Sequence, residues 1–379
     1  MAASTGVIVA NIYYIQPLLA DVARTFGIGV TTIGFVAMLA QIGTSLGMLL
    51  FVPLGDTKER RSLITLLLVV AAVGLALVAT ARNTLWLAAA CFIVGAMGAS
   101  VHLFIPFAAH LAPPLQRGRV VGTVFSGILL GILLARTFSG SVGAYLGWRS
   151  VYAIAGAMML SIAILVQFLL PRSKPTIELP YVSLLKSTAG LIRTHGELRE
   201  SAFLGASFFC CFSAFWTTLV FFLETPPYHY GSQAAGLFGL VGAAGAASAP
   251  IVGRLTDKRG ARFTISFALL SVFASYVLLW LTGTNLAGLI AGVLLLDLGV
   301  QAGHIANQTR IYGLDADARS RLNMFYMVCY FVGGAAGSLL GAYAWRVRGW
   351  SGVCMLCLGV VLLALLRFAM GRNRPVPAG

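Results

Sequence analysis

The sequence predicts an all-α membrane protein of twelve transmembrane helices arranged as two pseudo-symmetric six-helix halves. Composition is the first reason: 59% of the 379 residues are hydrophobic and 10% are charged, with a mean hydropathy of +0.91. A soluble fold with a solvated surface does not tolerate that balance. The second is that the chain divides into about twelve apolar runs, each near the roughly 20 residues that carry a helix across a bilayer. The third is an internal repeat at an offset of about 202 residues.

The first run, 4–22, begins almost at Met1, but it lacks a basic leader and a small-residue cleavage site, so it reads as a span and not as a secretory signal. Runs 32–54 and 62–81 follow across a short charged loop, then 85–112, 119–145 and 150–171. Several contain Gly or Pro, which membrane helices accept more readily than soluble ones. Residues 172–199 hold Pro175, Pro180 and a cluster of charges including Lys186, Glu197 and Arg199, and read as a cytoplasmic linker with one surface helix. The second set of runs is 200–224, 233–254, 262–281, 286–312, 321–345 and 350–370. Two bundles are therefore expected, 1–171 and 200–379.

The repeat matches His102 with His304, Arg117 with Arg319, Arg119 with Arg321, Gly131 with Gly333, and Gly147-Trp148 with Gly349-Trp350. A one-residue slip relates Asp56 to Asp257 and Arg61 to Arg262. An even number of spans per half keeps the copies parallel about an axis along the membrane normal, which leads one to expect a solute site between them near the midplane.

The formal charge of +15 sorts by loop: of 26 basic residues, 20 fall on one side of the predicted membrane, five on the other, and Arg136 lies inside a span. By the positive-inside rule both termini are expected in the cytoplasm, as in a multi-pass protein of the inner membrane. The charge is thus a topology signal, and no nucleic-acid partner is expected. Cys91, Cys210, Cys211, Cys329, Cys354 and Cys357 all lie within predicted spans, so they frame no disulfide scaffold. Cys354 and Cys357 have CxxC spacing without a second pair, and no histidine cluster stands at ligand spacing. No metal or cofactor is expected.

The chemistry concentrates in the run 286–308. Asp297, Gln301, His304 and Gln308 fall at i, i+4, i+7 and i+11, which puts four hydrogen-bonding groups on one face of a membrane helix. A charge at the bilayer centre costs at least ~2.5–3.5 kcal/mol on insertion scales, so one that persists faces a cavity, pairs or serves function. Two persist, Asp297 and Arg136, at depths of roughly 16 and 14 Å from the outer ends of their spans at ~1.5 Å per residue. Three readings are open: a proton carrier at Asp297 whose affinity changes as Arg136 approaches, a fixed structural ion pair, or direct contact with the solute. His102 and His304 occupy matching places and could relay protons or simply pack. Asn11, Tyr14 and Gln16 in the first span, Trp216 in the seventh, and Tyr326 and Tyr330 in the eleventh are further cavity candidates, each weighed against ordinary helix packing. Aromatic rings near a carboxylate would suit a cationic or amphipathic solute.

The loops carry a resemblance. The stretch 253-GRLTDKRGAR-262 follows the pattern G-x-x-x-D-[RK]-x-G-x-[RK], with Gly253, Asp257, Lys258, Gly260 and Arg262 in place; 52-VPLGDTKERR-61 keeps Asp56, Arg60 and Arg61, with Val52, Thr57 and Glu59 where the pattern has Gly, a base and Gly. This resembles the major facilitator superfamily of secondary transporters, over the whole chain. The resemblance implies that Asp56, Arg60, Arg61, Asp257, Lys258 and Arg262 form a cytoplasmic latch, and that spans 1, 4, 7 and 10 line the cavity. A dipole argument agrees, since acids at helix N-termini and bases at C-termini are stabilised there. The glycine run 127-GILLGILLARTFSGSVG-143 is similar to that of the drug:proton antiporter branch, but Ala135 and Arg136 replace its Gly-Pro, and Cys91 stands where that branch has an arginine. Small residues here, and in 333-GGAAGSLLG-341, would let helix backbones approach closely.

The function expected is proton-coupled efflux of a small organic molecule by alternating access. The alternative is uptake or facilitated transport of a sugar or organic acid, with Arg136 binding a carboxylate. An enzyme is not expected, for there is no paired carboxylate, Ser-His set or phosphate-cradling loop. A channel is disfavoured, since two similar halves with one buried acid suit an alternating site. The expected partners are the solute, protons and the bilayer, with no obligate protein partner.

Overall fold

In the computed structural model, which describes residues 1–113, 116–173, 181–246, 249–315 and 318–371, every regular element is a helix. They are α1 (Ala2–Tyr13), α2 (Ile15–Phe26), α3 (Val30–Thr57), α4 (Arg60–Ala79), α5 (Thr84–Gly98), α6 (Val101–Leu111), α7 (Arg117–Leu146), α8 (Trp148–Leu169), α9 (Tyr181–Thr194), α10 (Gly196–Glu224), α11 (Ser232–Ala246), α12 (Ala249–Arg259), α13 (Ala261–Thr282), α14 (Leu286–Tyr312) and α15 (Arg319–Met370). Two compact units result: Met1–Lys186 with Trp216–Ala243, and Ser187–Phe215 with Ala244–Gly379. The first unit includes the end of α10 and most of α11.

Among the described residues ten helices are long and apolar enough to cross a membrane. The runs read at 321–345 and 350–370 share α15, a 52-residue element whose backbone leaves the helical region at Arg348 (φ −138°, ψ 20°) and Gly349 (φ 56°, ψ −144°). A straight helix of that length would reach about 78 Å at ~1.5 Å per residue, far beyond a ~30 Å hydrocarbon layer, so the break at Gly349 turns the chain back. The run at 233–254 corresponds to α11 and α12, on either side of residues 247–248, which lie outside the described residues. The expected surface helix of the linker is α9; linker residues 174–180 also lie outside them.

Two spans are interrupted where proline dictates. Pro17 lacks the N–H that would bond to the Tyr13 carbonyl, and the first span breaks at Tyr14 between α1 and α2. Pro106 does the same to His102, and the α5–α6 junction shows the tighter i→i−3 pattern: Ser100 N donates to Met97 O at 3.0 Å, and Leu103 N to Ser100 O at 3.0 Å.

The internal repeat has structural counterparts in its caps. Asn83 accepts from Trp86 N at 2.8 Å and Asn285 from Ala287 N at 2.9 Å, closing the N-termini of α5 and α14 at matching positions. Gly147 (φ 80°) and Gly349 (φ 56°) make the sharp turns before Trp148 and Trp350, at dihedrals that a side chain disfavours. Arg61 donates to the carbonyls of Gln167 and Leu170 at 3.2 Å each, and Arg262 to Phe368 O at 3.4 Å. Each arginine therefore caps the open carbonyls at the end of the helix that closes its repeat.

The two copies differ where the second helix of each pair begins. Gly260 precedes α13 at φ 83°, whereas its counterpart Glu59 precedes α4 at φ −65° and caps it with its own carboxylate. Glu59 accepts from Arg61 N at 3.0 Å, Ser62 N at 2.7 Å and Ser173 N at 3.0 Å. Desolvation pushes its pKa up, but the hydrogen bonds from Ser62, Ser173 and Arg61 outweigh it and hold the group at about 2. The folded-state value lies below the ordinary 4.5. The stabilisation is therefore present above that value and lost as pH falls toward 2. Acid titration of the thermal midpoint in detergent should show wild type losing more stability over that window than Glu59→Gln.

In lipid no hydrophobic force drives one helix onto another, so close backbone packing has to do it. Gly43 and Gly47 of α3 lie on the backbone of Phe92 and Ala96 in α5, and Gly95 lies on Ala40. Gly127 and Gly131 of α7 face Ala2 and Gly6 of α1; the second unit repeats this with Gly333 and Gly337 of α15 against Ala206 and Cys210 of α10. Gly140 meets Gly236, which seats α11 on α7. The outward faces are apolar, with Leu85 and Phe168 each 81% exposed, as a lipid-facing surface requires.

Candidate functional site

In the first unit the continuous helix α7 carries Arg136 into the interior, where it is 2% exposed. Its Nε donates to Gln16 Oε1 at 2.6 Å, and its guanidinium lies 4.0 Å from the Trp216 ring centroid and 4.8 Å from that of Tyr13. A neutral acceptor and two aromatic faces thus offset the loss of hydration of a buried cation. Gly236 and Gly239 of α11 lie against the backbone and the side chain of Arg136, where a Cβ on either would collide. Tyr14 meets Phe138 at 5.6 Å with the rings tilted 48° apart, and the Asn11 amide donates to Ile8 O at 3.2 Å and Met159 Sδ at 3.3 Å. Asn11 Oδ1 and Tyr152 Oη are buried with no hydrogen-bond partner among the described residues. Such groups in a native interior are met by water or by a ligand. His102 on α6 is half-buried and makes no side-chain hydrogen bond among the described residues.

In the second unit α14 runs unbroken from Leu286 to Tyr312, so the helical spacing read from the sequence holds. Asp297 is 6% exposed; Gln301, His304 and Gln308 are half-exposed on the same face, while Val300, Gly303 and Asn307 are buried on the adjoining face. His304 Nδ1 and Tyr326 Oη are hydrogen-bonded at 3.1 Å, and the His304 ring lies 4.8 Å from Tyr330. Tyr330 stacks on Phe209 at 4.1 Å with an 18° interplanar angle. Gln308 Nε2 donates to Asn323 Oδ1 at 3.1 Å. Tyr326 fits against Gly205, where any side chain would strike its ring.

The residues expected to form the latch have these places within their own units. Arg60 is buried and its Nε donates to Gly55 O at 2.8 Å. Arg61 and Arg262 cap helix ends as described, and Asp257 and Lys258 are exposed on α12. The side chain of Asp56 lies outside the described residues.

Several contributors escaped sequence reasoning. Tyr13 adjoins the named Tyr14 and is, with Trp216, one of two rings that meet Arg136. Phe209 is one of many apolar residues in its run, and no local signal separates it from them. Glu200 pairs with Arg310 at 3.2 Å, with Glu197 at 3.5 Å from the same arginine. These acids sit in the first turns of α10 and the base in the last turn of α14, where the helix dipoles favour them. Arg24 bonds to Glu224 Oε1 at 2.6 Å and also to Asp21, tying the ends of α2 and α10.

Comparison with known proteins adds the family. The profile of the Major Facilitator Superfamily matches residues 1–314. The chain is 42% identical over 374 residues to the transporter YgaY of Escherichia coli O157:H7, covering 99% of this chain and 95% of that one. It is 26% identical over 371 residues to a "Probable sugar efflux transporter" of Helicobacter pylori, covering 93% and 89%. A bacterial homologue of the human lysosomal transporter Spinster has the same fold, with a TM-score of 0.76 at 17% identity and coverage of 100% and 98%.

Proposed function

Because the chain belongs to the Major Facilitator Superfamily, a class of transporters and not of enzymes, we propose that it exports a small organic molecule across the inner membrane in exchange for protons. The scheme is alternating access between two six-helix halves with both termini in the cytoplasm. Asp297 carries the reading. It is a carboxylate buried within a spanning helix, beside three half-exposed polar groups, and it is the acid at membrane depth that can take up and release a proton. Arg136 is a fixed cation that favours the charged carboxylate in one conformation, and His304 passes protons along the strip. The acids and bases of the two repeated loops, Asp56 and Asp257 with Arg60, Arg61, Lys258 and Arg262, form the cytoplasmic latch. The similarity to a protein named for sugar efflux supports export.

The test is proton movement in everted membrane vesicles, followed with a pH-sensitive dye as cationic, neutral and anionic solutes are added. Solute-dependent proton release is expected. Solute flux with no proton signal would instead establish facilitated transport.

Alternating access also requires ties that break. Arg24 and Glu224 are separated by 200 positions in sequence and joined across α2 and α10. The side chain of Arg24 is 59% exposed, so the pair contributes at most about 1 kcal/mol, little enough to open in every cycle. Arg24→Glu should change the transport rate several-fold, and the exchange Arg24→Glu with Glu224→Arg should bring it back toward wild type. A double exchange no better than the single one would remove the pair from the cycle.

A further inference from the structure

The strip on the second unit has a chemistry that narrows the solute. Within a spanning helix, half-exposed amides do not face lipid, because hydrocarbon satisfies neither their donors nor their acceptors. Gln301, His304 and Gln308 on α14 and Asn323 on α15 therefore line a wetted surface. Gln301 makes no side-chain hydrogen bond among the described residues, so its amide is presented to whatever occupies that surface. Gln308 and Asn323 are joined at 3.1 Å, an amide pair that keeps further donors and acceptors beyond that bond. Tyr326, His304, Tyr330 and Phe209, in that order, form a continuous aromatic wall, with ring centroids 4.1 to 5.6 Å apart between successive members. Tyr326 is held against Gly205 and hydrogen-bonded to His304, which fixes the wall in place.

Amides and ring faces are neutral recognition groups. A cationic solute calls for exposed carboxylate, and a carboxylic acid for an exposed base, but the half-exposed groups of the strip are uncharged amides and an imidazole. Asp297, at its end, is buried. Paired amides match adjacent hydroxyls, each of which donates and accepts, and aromatic faces match the C–H faces of a saturated ring or the plane of a heterocycle. We propose that the strip Gln301, His304, Gln308 and Asn323, backed by Tyr330 and Phe209, binds a neutral polyhydroxylated ring, free or attached to a base. This rests on the transporter reading and is independent of proton coupling.

The experiment uses the full chain in lipid nanodiscs with no proton gradient, and measures binding by thermal stabilisation with four probes: an aldohexose, a nucleoside, an aromatic quaternary ammonium ion and an aliphatic dicarboxylate. The hexose or the nucleoside should stabilise the protein, and which of the two does so identifies the source of the ring. Gln301→Leu removes no internal hydrogen bond, so it should fold as wild type does and bind that probe about ten-fold more weakly, the size of one lost hydrogen bond. Gln308→Leu should weaken it at least as much. Stabilisation by the ammonium ion or the dicarboxylate alone, no stabilisation by either ring at millimolar concentration, or equal affinity in Gln301→Leu would overturn the proposal. Ring binding without proton release in vesicles would leave this inference standing and remove only the coupling.

Discussion

Asp297→Asn is expected to abolish uphill, proton-driven transport while leaving solute binding within about three-fold of wild type. The amide has the shape of the carboxylate and can occupy the same buried place in α14, but it cannot gain or lose a proton near neutral pH. If Asp297 is the carrier, coupling vanishes and exchange of labelled for unlabelled solute continues, because that exchange needs no net proton movement. The comparison to make is solute accumulation in everted vesicles under an imposed pH gradient, beside counterflow in the same vesicles. Unchanged accumulation would show that the proton travels elsewhere. Loss of binding together with transport would make Asp297 a solute contact, and a protein that fails to fold would make it a structural group. Folding should survive, since neutralising a buried charge removes a desolvation cost as well as a favourable interaction.

Gly95→Val and Gly333→Val should be the most destabilising single substitutions at the helix contacts of the two units. A Cβ at Gly95 would run into the backbone carbonyl of Ala40, and one at Gly333 into the backbone of Ala206. Neither obstacle is a side chain that can rotate away, so α3 must part from α5, or α10 from α15. Overpacking of a core costs about 1–3 kcal/mol even where side chains can adjust, and rigid backbone raises that. Separation also forfeits the dispersion contacts that hold helices together in lipid. Gly359→Val is the control: nothing lies within 4 Å of a Cβ there, and valine is the better helix former. Thermal unfolding in detergent, with size-exclusion profiles, should show lower midpoints and aggregation for the first two variants and wild-type behaviour for the third. Equal midpoints for all three would mean that glycine packing does not hold the helices.

Much of the architecture was legible because a bilayer imposes strong rules on composition. Apolar runs had to be helices, since only a helix satisfies its own backbone within one segment. The repeat was legible in a few identities, and the caps Asn83 and Asn285 and the turns Gly147 and Gly349 stand at its matching positions. The stripe on α14 could be read because helical periodicity is local. Less legible was where a helix stops within an apolar run, as at Gly349, because the adjoining segments are equally hydrophobic.

By itself, then, the sequence determined that this is a helical membrane protein, that its loops carry the marks of a transporter family, and that Asp297 and Arg136 are the charges left inside. These follow from composition, period and the cost of charge in lipid, all of which act along the chain. Tertiary structure alone decided what each charge meets. Gln16 reaches Arg136 across 120 positions, and Tyr326 reaches His304 from the next helix. Glu59 gained a third donor because Ser173 came within its reach, and Arg61 found the carbonyls at the end of α8. Which side chain satisfies which depends on how helices cross, and crossings are set by the small residues that let two backbones touch.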